Sequence, residues 1–519
     1  MNSDPIWLLA FRFAGRTWYL ASNACAPVRA DGTTVPHLPT LTAATFTEAL
    51  NLGGGITGPC SASVSFSLGL PLDRDVWWMV LEGYQLSQAL GELSIWTPGT
   101  DYEDRVVMVS GPFIPQKVPT PGKPLEGDFQ DLVGIYVASW PPASAQINAT
   151  TWPNAPLGDN ANLNGTPYPW VFGAPGATVI DGVSYTLPST PCLIVDTTAA
   201  AQKGLICGAP VAATTVKIAV FDPTPLSDTF AVTTATDGAG RQVATVDLSS
   251  KDGIWTLDGT VDLYVVDWGL GGVQELTGSA TVQGLGNAAL YLLLQRYAEN
   301  GPERVDVASW QGLAPILDAW RIGFAVTERG DPMDHVKTLL DICPALWVLG
   351  GPKGLRPVFL ANRNAALRRT LTEGREIHWI EDALEIGDVQ VCNDFTTSFA
   401  YNLQRSIYAG AWTNDASTDP SAAASVSRPW GLRSDSIDAP TYDEGTAALI
   451  ASEQVRMRWT QPLSIDYEAP LWAAMLVELG EPVLIDDPDR GLDRRAMWVS
   501  GREFDVAKAT VTLTFVGWW

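Results

Sequence analysis

The sequence predicts a mainly β, multidomain protein with α+β parts, and three observations carry that expectation. The chain has 519 residues, more than one core organises at roughly 100–200 residues per domain. Charged residues make up only 17 %, while Gly (47) and Pro (37) are plentiful and apolar residues reach 46 %, a balance that suits short strands and many turns better than long solvated helices. The third observation is a stretch that occurs twice. One copy runs from Gly91-Glu92 to Val109-Ser110-Gly111, the other from Gly480-Glu481 to Val499-Ser500-Gly501. Each passes through a short apolar strand, turns on an acidic Pro/Gly loop, and closes with an Arg and a second apolar strand. The loops differ in length by one residue. Turn formers between apolar or β-branched runs make each a hairpin. A true duplication would place one small, related β-barrel module at each end of the chain, with other material between them.

Four stretches follow from this layout: a β-barrel module over 1–130, an inserted β-rich domain over 131–283, a helix-plus-hairpin α+β domain over 284–395 and a second β-barrel module over 396–519. In the first, Ile6 to Phe13 and Arg16 to Leu20 flank a tight turn at Ala14-Gly15. Phe46 to Leu50 and Ser61 to Leu68 are further strands, the latter alternating Ser with Val64, Phe66 and Leu68, so one face is wet and one buried. Gly53-Gly54-Gly55 lacks the Lys and the strand-to-helix setting of a phosphate cradle and reads as a flexible loop. Asp73 caps an expected helix through Trp77, Trp78, Val80 and Leu81.

The Pro-rich run from Pro115 to Pro124 is a connector, and Leu132 to Trp140 is a strand. Residues 141–176, dense in Pro, Gly and Asn, are expected to be a functional or contact segment. Short strands then follow from 177 to 282 at the spacing of a small sandwich or barrel. At Gly286 the texture changes. Asn287 can cap a helix with Leu290, Leu293, Leu294 and Tyr297 on its apolar face, and a second helix covers Leu313 to Trp320. The third is the best marked: Asp331 at the cap, Pro332 in the first position, and Met333, Val336, Leu339, Leu340 and Cys343 on one face. Strands at Leu346 to Leu349 and Leu355 to Leu360 make a hairpin behind it. Residues 413–445 read as a loose segment, followed by a helix around Thr446 to Arg456, a strand at Leu463 to Tyr467, the second hairpin, and a last strand at Val506 to Val516 ahead of Trp518-Trp519.

The search for chemistry assigns no catalytic, cofactor-binding or metal-ligating residue. The net charge of −25 excludes a surface that holds nucleic acid through Lys and Arg contacts; the acidity either maintains solubility or forms a wall past which DNA moves without sticking. The six Cys, at 25, 60, 192, 207, 343 and 392, form no C-x-x-C pair, and only His37, His335 and His378 are available as imidazole ligands, so no zinc or iron–sulfur site is expected. Cys192 and Cys207 are read as buried thiols, with a disulfide as the alternative. The start lacks a basic leader, and no window of 18 apolar residues exists to span a membrane. His335 sits early in an amphipathic helix and His378 in a strand, and no Gly-x-Ser-x-Gly elbow accompanies either. Asp466 and Glu468 share one face of a strand, and Asp101, Glu103 and Asp104 share a turn, but a glycosidase needs two carboxyls across an aromatic-lined cleft. Asp486, Asp487, Asp489 and Asp493 miss the alternating spacing of a calcium loop.

Three stretches are similar to bacteriophage tail-tip or baseplate hub proteins of the siphophage or gene-transfer-agent type. They are Gly165-Thr-Pro-Tyr-Pro-Trp-Val-Phe-Gly173, the helix and hairpin from Asp331 to Leu360, and the segment from Leu479 through Val499-Ser500-Gly501. The family's usual Asp after Gly is Glu481 here, and residues 177–282 match only in texture. The resemblance implies a non-enzymatic virion protein at the tail tip, a homotrimer that closes the distal end of a tail tube. Two related barrels per subunit would give six quasi-equivalent modules, so that a trimer can dock on a six-fold tube. Its implied neighbours are the distal tail protein ring, the tape-measure protein, and a central fibre or spike, with phage DNA present only in transit. Two other readings stand beside it: a polysaccharide or peptidoglycan hydrolase, tail-associated or secreted, and a carbohydrate-binding β protein, the latter prompted by 21 Trp.

Overall fold

The computed structural model describes residues 5–49, 55–56, 61–67, 70–116, 123–130, 139–155, 157, 163–198, 202–220, 226–249, 263–269, 271–274, 281–296, 304–350, 354–360, 369–386, 390–505 and 510–517. Gly53, Gly54, Cys60, most of the strand expected at Leu132 to Trp140, and Trp518-Trp519 lie outside the described residues. The chain is mainly β with α+β parts and is built from several packed units, the class its composition predicts.

β1 (Ile6–Phe13) and β2 (Arg16–Ala21) form the expected tight hairpin, with Ala14 and Gly15 at φ of 48° and 75°; a two-residue turn that follows the strand twist needs positive φ at both central positions. β1 is buried on both faces because its alternate residues serve different cores. Trp7, Leu9, Phe11 and Phe13 enter the main core, while Ile6 and Leu8 lie with Val35, Trp96 and Tyr102 in a smaller one. Next come β3 (Leu41–Ala49), the short β4 (Gly55–Ile56), β5 (Ser61–Phe66), α1 (Leu70–Leu81), β6 (Leu90–Trp96), β7 (Val106–Pro115) and β8 (Leu125–Gln130). α1 begins three residues ahead of the expected cap, so Asp73 lies in its first turn.

The irregular stretch after Trp140 carries a small core of its own, with Ala145, Ile147, Trp152 and Tyr168 packed against Val195, Leu205 and Val243. The inserted strands are β9 (Trp170–Gly173), β10 (Ala177–Ile180), β11 (Val183–Thr186), β12 (Thr190–Pro191), β13 (Leu193–Asp196), β14 (Lys203–Cys207), β15 (Thr215–Val220), β16 (Leu226–Thr236), β17 (Gln242–Asp247) and β18 (Leu263–Asp267). β12 to β18 make one seven-stranded sheet, β10 and β11 a separate hairpin.

The α+β part holds α2 (Leu285–Arg296), α3 (Val307–Leu317), β19 (Gly323–Val326), α4 (Pro332–Asp341), β20 (Leu346–Leu349) and β21 (Arg356–Phe359). α4 follows its sequence from cap to Leu340: the Asp331 carboxylate accepts from the Met333 N–H at 2.9 Å, and Met333, Val336, Leu339 and Leu340 are buried, but it ends at Asp341, so Cys343, expected on its face, lies just beyond it. α2 starts at Leu285, so Asn287 is inside it. Its burial extends to Ala288, Ala289 and Leu292 beyond the expected face, as befits a helix apolar nearly all round. α3 starts six residues before Leu313, capped by Asp306, which accepts from the Ser309 N–H. β9 pairs with β19, and Phe172 stacks on Phe324 at 4.9 Å between ring centres, so the Gly165–Gly173 motif ties the insert to the α+β part.

The last stretch contains β22 (Thr370–Thr372), β23 (His378–Ile386), β24 (Asp394–Asn402), β25 (Ile407–Asn414), α5 (Pro420–Val426), β26 (Ser434–Asp438), α6 (Glu444–Arg458), β27 (Leu463–Pro470), α7 (Leu471–Ala474), β28 (Pro482–Asp487), β29 (Leu492–Asp505) and β30 (Thr510–Gly517). The segment expected to be loose, 413–445, is instead structured. Asp419 caps α5 by accepting from Ser421 and Ala422 N–H groups, with Pro420 in the first position, and β26 is polar because four of its five residues are exposed.

The two ends of the chain meet in one thirteen-stranded sheet, ordered β2-β1-β6-β7-β8-β5-β3-β29-β30-β27-β23, with β28 on β29 and β22 on β28. They share a single core, in which Trp7 meets Phe504 and Phe11 lies 5.1 Å from Phe66 between ring centres. The 14-residue length of β29 permits this, since it pairs with β28, β30 and β3.

Candidate functional site

The repeated hairpins belong to a larger repeat that the sequence pattern did not display. In the first unit β5, α1, β6, β7 and β8 follow one another and pair in the order β6-β7-β8-β5, with β3 beyond β5. In the second, β27, α7, β28, β29 and β30 follow one another and pair as β28-β29-β30-β27, with β23 beyond β27. The connectivity is strand, helix, hairpin, strand in both, and every one of these pairings is antiparallel. Near the tips the hairpin registers also correspond: Ser94 faces Val107 in one copy and Val483 faces Met497 in the other.

The acidic tips are held together by the chain's own groups. In the first copy Arg105 pairs with Glu92 at 2.7 Å and lies 4.1 Å over the Tyr102 ring; Asp104 accepts from the Asp101 N–H, and Glu103 from the Ala30 N–H. In the second, buried Asp487 accepts from the Tyr467 hydroxyl at 2.7 Å and from Arg490 at 2.9 Å, while Arg490 lies 4.1 Å over the Trp379 ring. Burial first, then the Asp487 carboxylate, pushes the Tyr467 hydroxyl upward. Each tip thus joins a carboxylate, an arginine and an aromatic ring. Among the described residues no three His, Cys, Asp or Glu side chains converge as metal ligands.

Where the units join, Glu48 of β3 is buried against Arg502 of β29, which also donates to the Val477 carbonyl at 2.8 Å. Arg356 of β21 reaches the same carboxylate at 3.7 Å. This group links the two units and the α+β part.

The outward face of the shared sheet is the most distinctive surface. Its cross-strand rows follow from the register. One runs Asp128, Ser63, Thr45, Asp505, Thr510; another runs Thr47, Glu503, Thr512, Glu468; Thr514 faces Asp466 in a third. On the reverse of these strands lie Phe129, Ala62, Phe46, Phe504, Val511 and Ala469 in the core. Hydroxyl and carboxylate groups fill the named outward positions, with no Lys or Arg among them. The period-two runs Ser61 to Phe66, Ser464 to Ala469 and Thr510 to Phe515 carried this information strand by strand, but the rows required the long-range register.

Asp466 and Glu468 do share one face, as the strand pattern required, and Glu468 stands opposite His378 of β23. His335 is in α4, 6.3 Å from the Phe324 ring, and burial lowers its pKa. Cys192 and Cys207 are buried free thiols, pushed up by burial to about 12 and about 11, so neither is a nucleophile. Asn148 accepts from the Thr150 and Thr151 N–H groups, a turn role. Among the described residues no helix is long and apolar enough to cross a membrane.

His37 gives the chain a pH response. Its ring nitrogen Nδ1 lies 2.7 Å from the Val35 carbonyl, Tyr19 and Tyr102 flank it, and burial, aided by Arg105, holds its pKa below the ordinary value. Above that ordinary value of about 6.5 folded and unfolded chains are both neutral there, and the group contributes nothing. As pH falls through it, the unfolded chain binds a proton that the folded chain refuses, so stability declines until the depressed folded value is passed. His37→Gln is therefore expected to flatten the fall in thermal midpoint between about pH 7.5 and 5.5, and an unchanged slope would count against this assignment.

No protein-family model matches the chain, and no curated protein matches it. The chain is similar to solved structures across nearly its whole length. A tail protein from Neisseria meningitidis MC58 has 11 % identity and a TM-score of 0.41, over 98 % of this chain and 96 % of that one. The 43 kDa tail protein of prophage MuSo2 from Shewanella oneidensis has 10 % identity and a TM-score of 0.39, over 98 % and 97 %. Prophage tail protein gp18 from Listeria monocytogenes EGD-e has 7 % identity and a TM-score of 0.36, over 99 % and 94 %.

Proposed function

We propose that this chain is a structural protein of a bacteriophage-type tail, a homotrimeric hub that closes the distal end of the tail tube. The observation that carries this reading is the pair of units with one strand order in a single chain. Three copies present six such units, which lets a three-fold tip sit on a six-fold tube. The resemblance of Gly165–Gly173, Asp331–Leu360 and Leu479–Gly501 to tail hubs points the same way, and supplies the neighbours: the distal tail protein ring, the tape-measure protein and a central fibre or spike. The hydroxyl and carboxylate face of the shared sheet is assigned to the wall of the passage. Along the named rows a duplex finds none of the Lys or Arg contacts that release counterions and hold phosphates, so DNA in transit is not retained there.

The mass of the assembled chain in solution tests the reading. Three copies in a ring with a central opening are expected; a chain that remains monomeric overturns it. Replacing Asp466 and Glu468 together with Asn and Gln is expected to leave assembly intact. Loss of a lytic halo in that variant, with assembly preserved, would favour the tail-carried hydrolase instead.

A further inference from the structure

Within the chain, the second unit receives the first at one defined place. β28 occupies one side of β29 as far as Trp498, and β3 takes over that same side from Gly501 to Asp505, because β30 covers the opposite side. The repeat supplies a counterpart for each partner. β23 corresponds to β3, and β7 corresponds to β29. Among the described residues β23 ends the sheet, paired along one edge only, with β27. On β7, β6 leaves at the Leu90–Pro112 pair, and the Phe113 N–H then bonds the Ala89 carbonyl.

The surface beside this point is apolar. Leu90 is 47 % exposed and faces Pro112, and Ile114, 41 % exposed, is two residues further along the same face. Ile114 stands opposite Asp128, so the patch continues the first row of hydroxyl and carboxylate positions, and on its far side Leu90 stands opposite the exposed Arg12 of β1. Sheet margins of this kind invite another strand, and a chain that already contains the matching strand is the natural donor.

We propose that Leu90, Pro112 and Ile114, with the end of β7, receive β23 of a second copy of this chain. The contact repeats between subunits what β3 and β29 do within one, and it is head-to-tail, the type that closes rings; the inference rests on the ring reading above. It is not an identical contact. Pro112 and Pro115 have no N–H to donate, so the ladder there is short and side-chain packing carries more of the junction. The inward positions of β7 here are Gly111 and Phe113, neither charged, so the Glu48–Arg502 pair is not repeated and the subunit junction is the weaker of the two.

The test uses the full chain and two variants, Ile114→Asp and Leu90→Asp, with Ile407→Asp on β25 as a control at an exposed residue outside the repeat. Both junction variants are expected to keep the wild-type thermal midpoint of the dilute monomer. They should raise the concentration at half-trimerisation by about tenfold or more, while the control leaves it unchanged. Hydrogen exchange gives an independent readout, with the amides of His378–Ile386 slowing in the trimer relative to the monomer. If both variants trimerise like the wild type and those amides exchange equally in both states, the inference falls and the ring reading survives. If the wild-type chain never trimerises, both fall.

Discussion

Replacing Glu48 with Ala is expected to destabilise the folded chain by about 3–5 kcal/mol, the cost of removing one partner from a buried ion pair. Only 4 % of the Glu48 side chain is accessible, and its removal leaves Arg502 buried without its carboxylate and Arg356 without its anchor. Glu48→Gln keeps an acceptor and should lose less. The double variant Glu48→Leu with Arg502→Met removes both charges and is expected to recover much of the loss, since packed apolar pairs often equal buried ionic ones. Chemical denaturation of the three variants checks the order, and a midpoint for Glu48→Ala equal to the wild type would refute it. Because this pair sits where the two units join, the loss should also appear as faster exchange of the β3 and β29 amides.

The second large effect concerns the glycine that opens each repeated hairpin. Both copies carry it, for different physical reasons. At Gly91 a Cβ would lie 1.9 Å from the ring of Phe129, which is fully buried and 5.2 Å from Phe113 between ring centres. Gly480 instead holds φ of 78°, and a Cβ there would also lie 2.7 Å from the Val358 side chain. Gly91→Ala is expected to cost about 1–3 kcal/mol through overpacking, and Phe129→Leu should relieve part of it. Gly480→Ala is expected to cost about 1–2 kcal/mol for the left-handed backbone alone. Val358→Ala should therefore rescue it incompletely. Equal rescue of both variants by their partner substitutions would contradict the assignment of strain to Gly480.

Local features were legible in the chain. Asp331, Pro332 and the face from Met333 to Leu340 describe α4 fully, and the hairpin tips follow from their turn residues. What remained hidden depends on distance. Glu48 and Arg502 are 454 residues apart, and no local pattern pairs them. The common strand order was masked because β23 and β27 are separated by β24, β25, α5, β26 and α6, whereas β3 and β5 are separated by little. Residues 413–445 read as loose because their Ser, Asp and Ala content suits a loop, an exposed edge strand and a short capped helix alike. For the candidate face, alternation identified the wet residues of single strands, and register alone assembled them into one surface.

The joining of β3 to β29 within one polypeptide fixes the arithmetic of any closed assembly. The two units are made together in equal numbers and enter a ring only as a coupled pair in a set order. A ring built from this chain therefore always contains an even number of units, alternating in kind, and rings of five or seven units are excluded before any subunit meets another. Errors in assembly can change the number of pairs, never the parity.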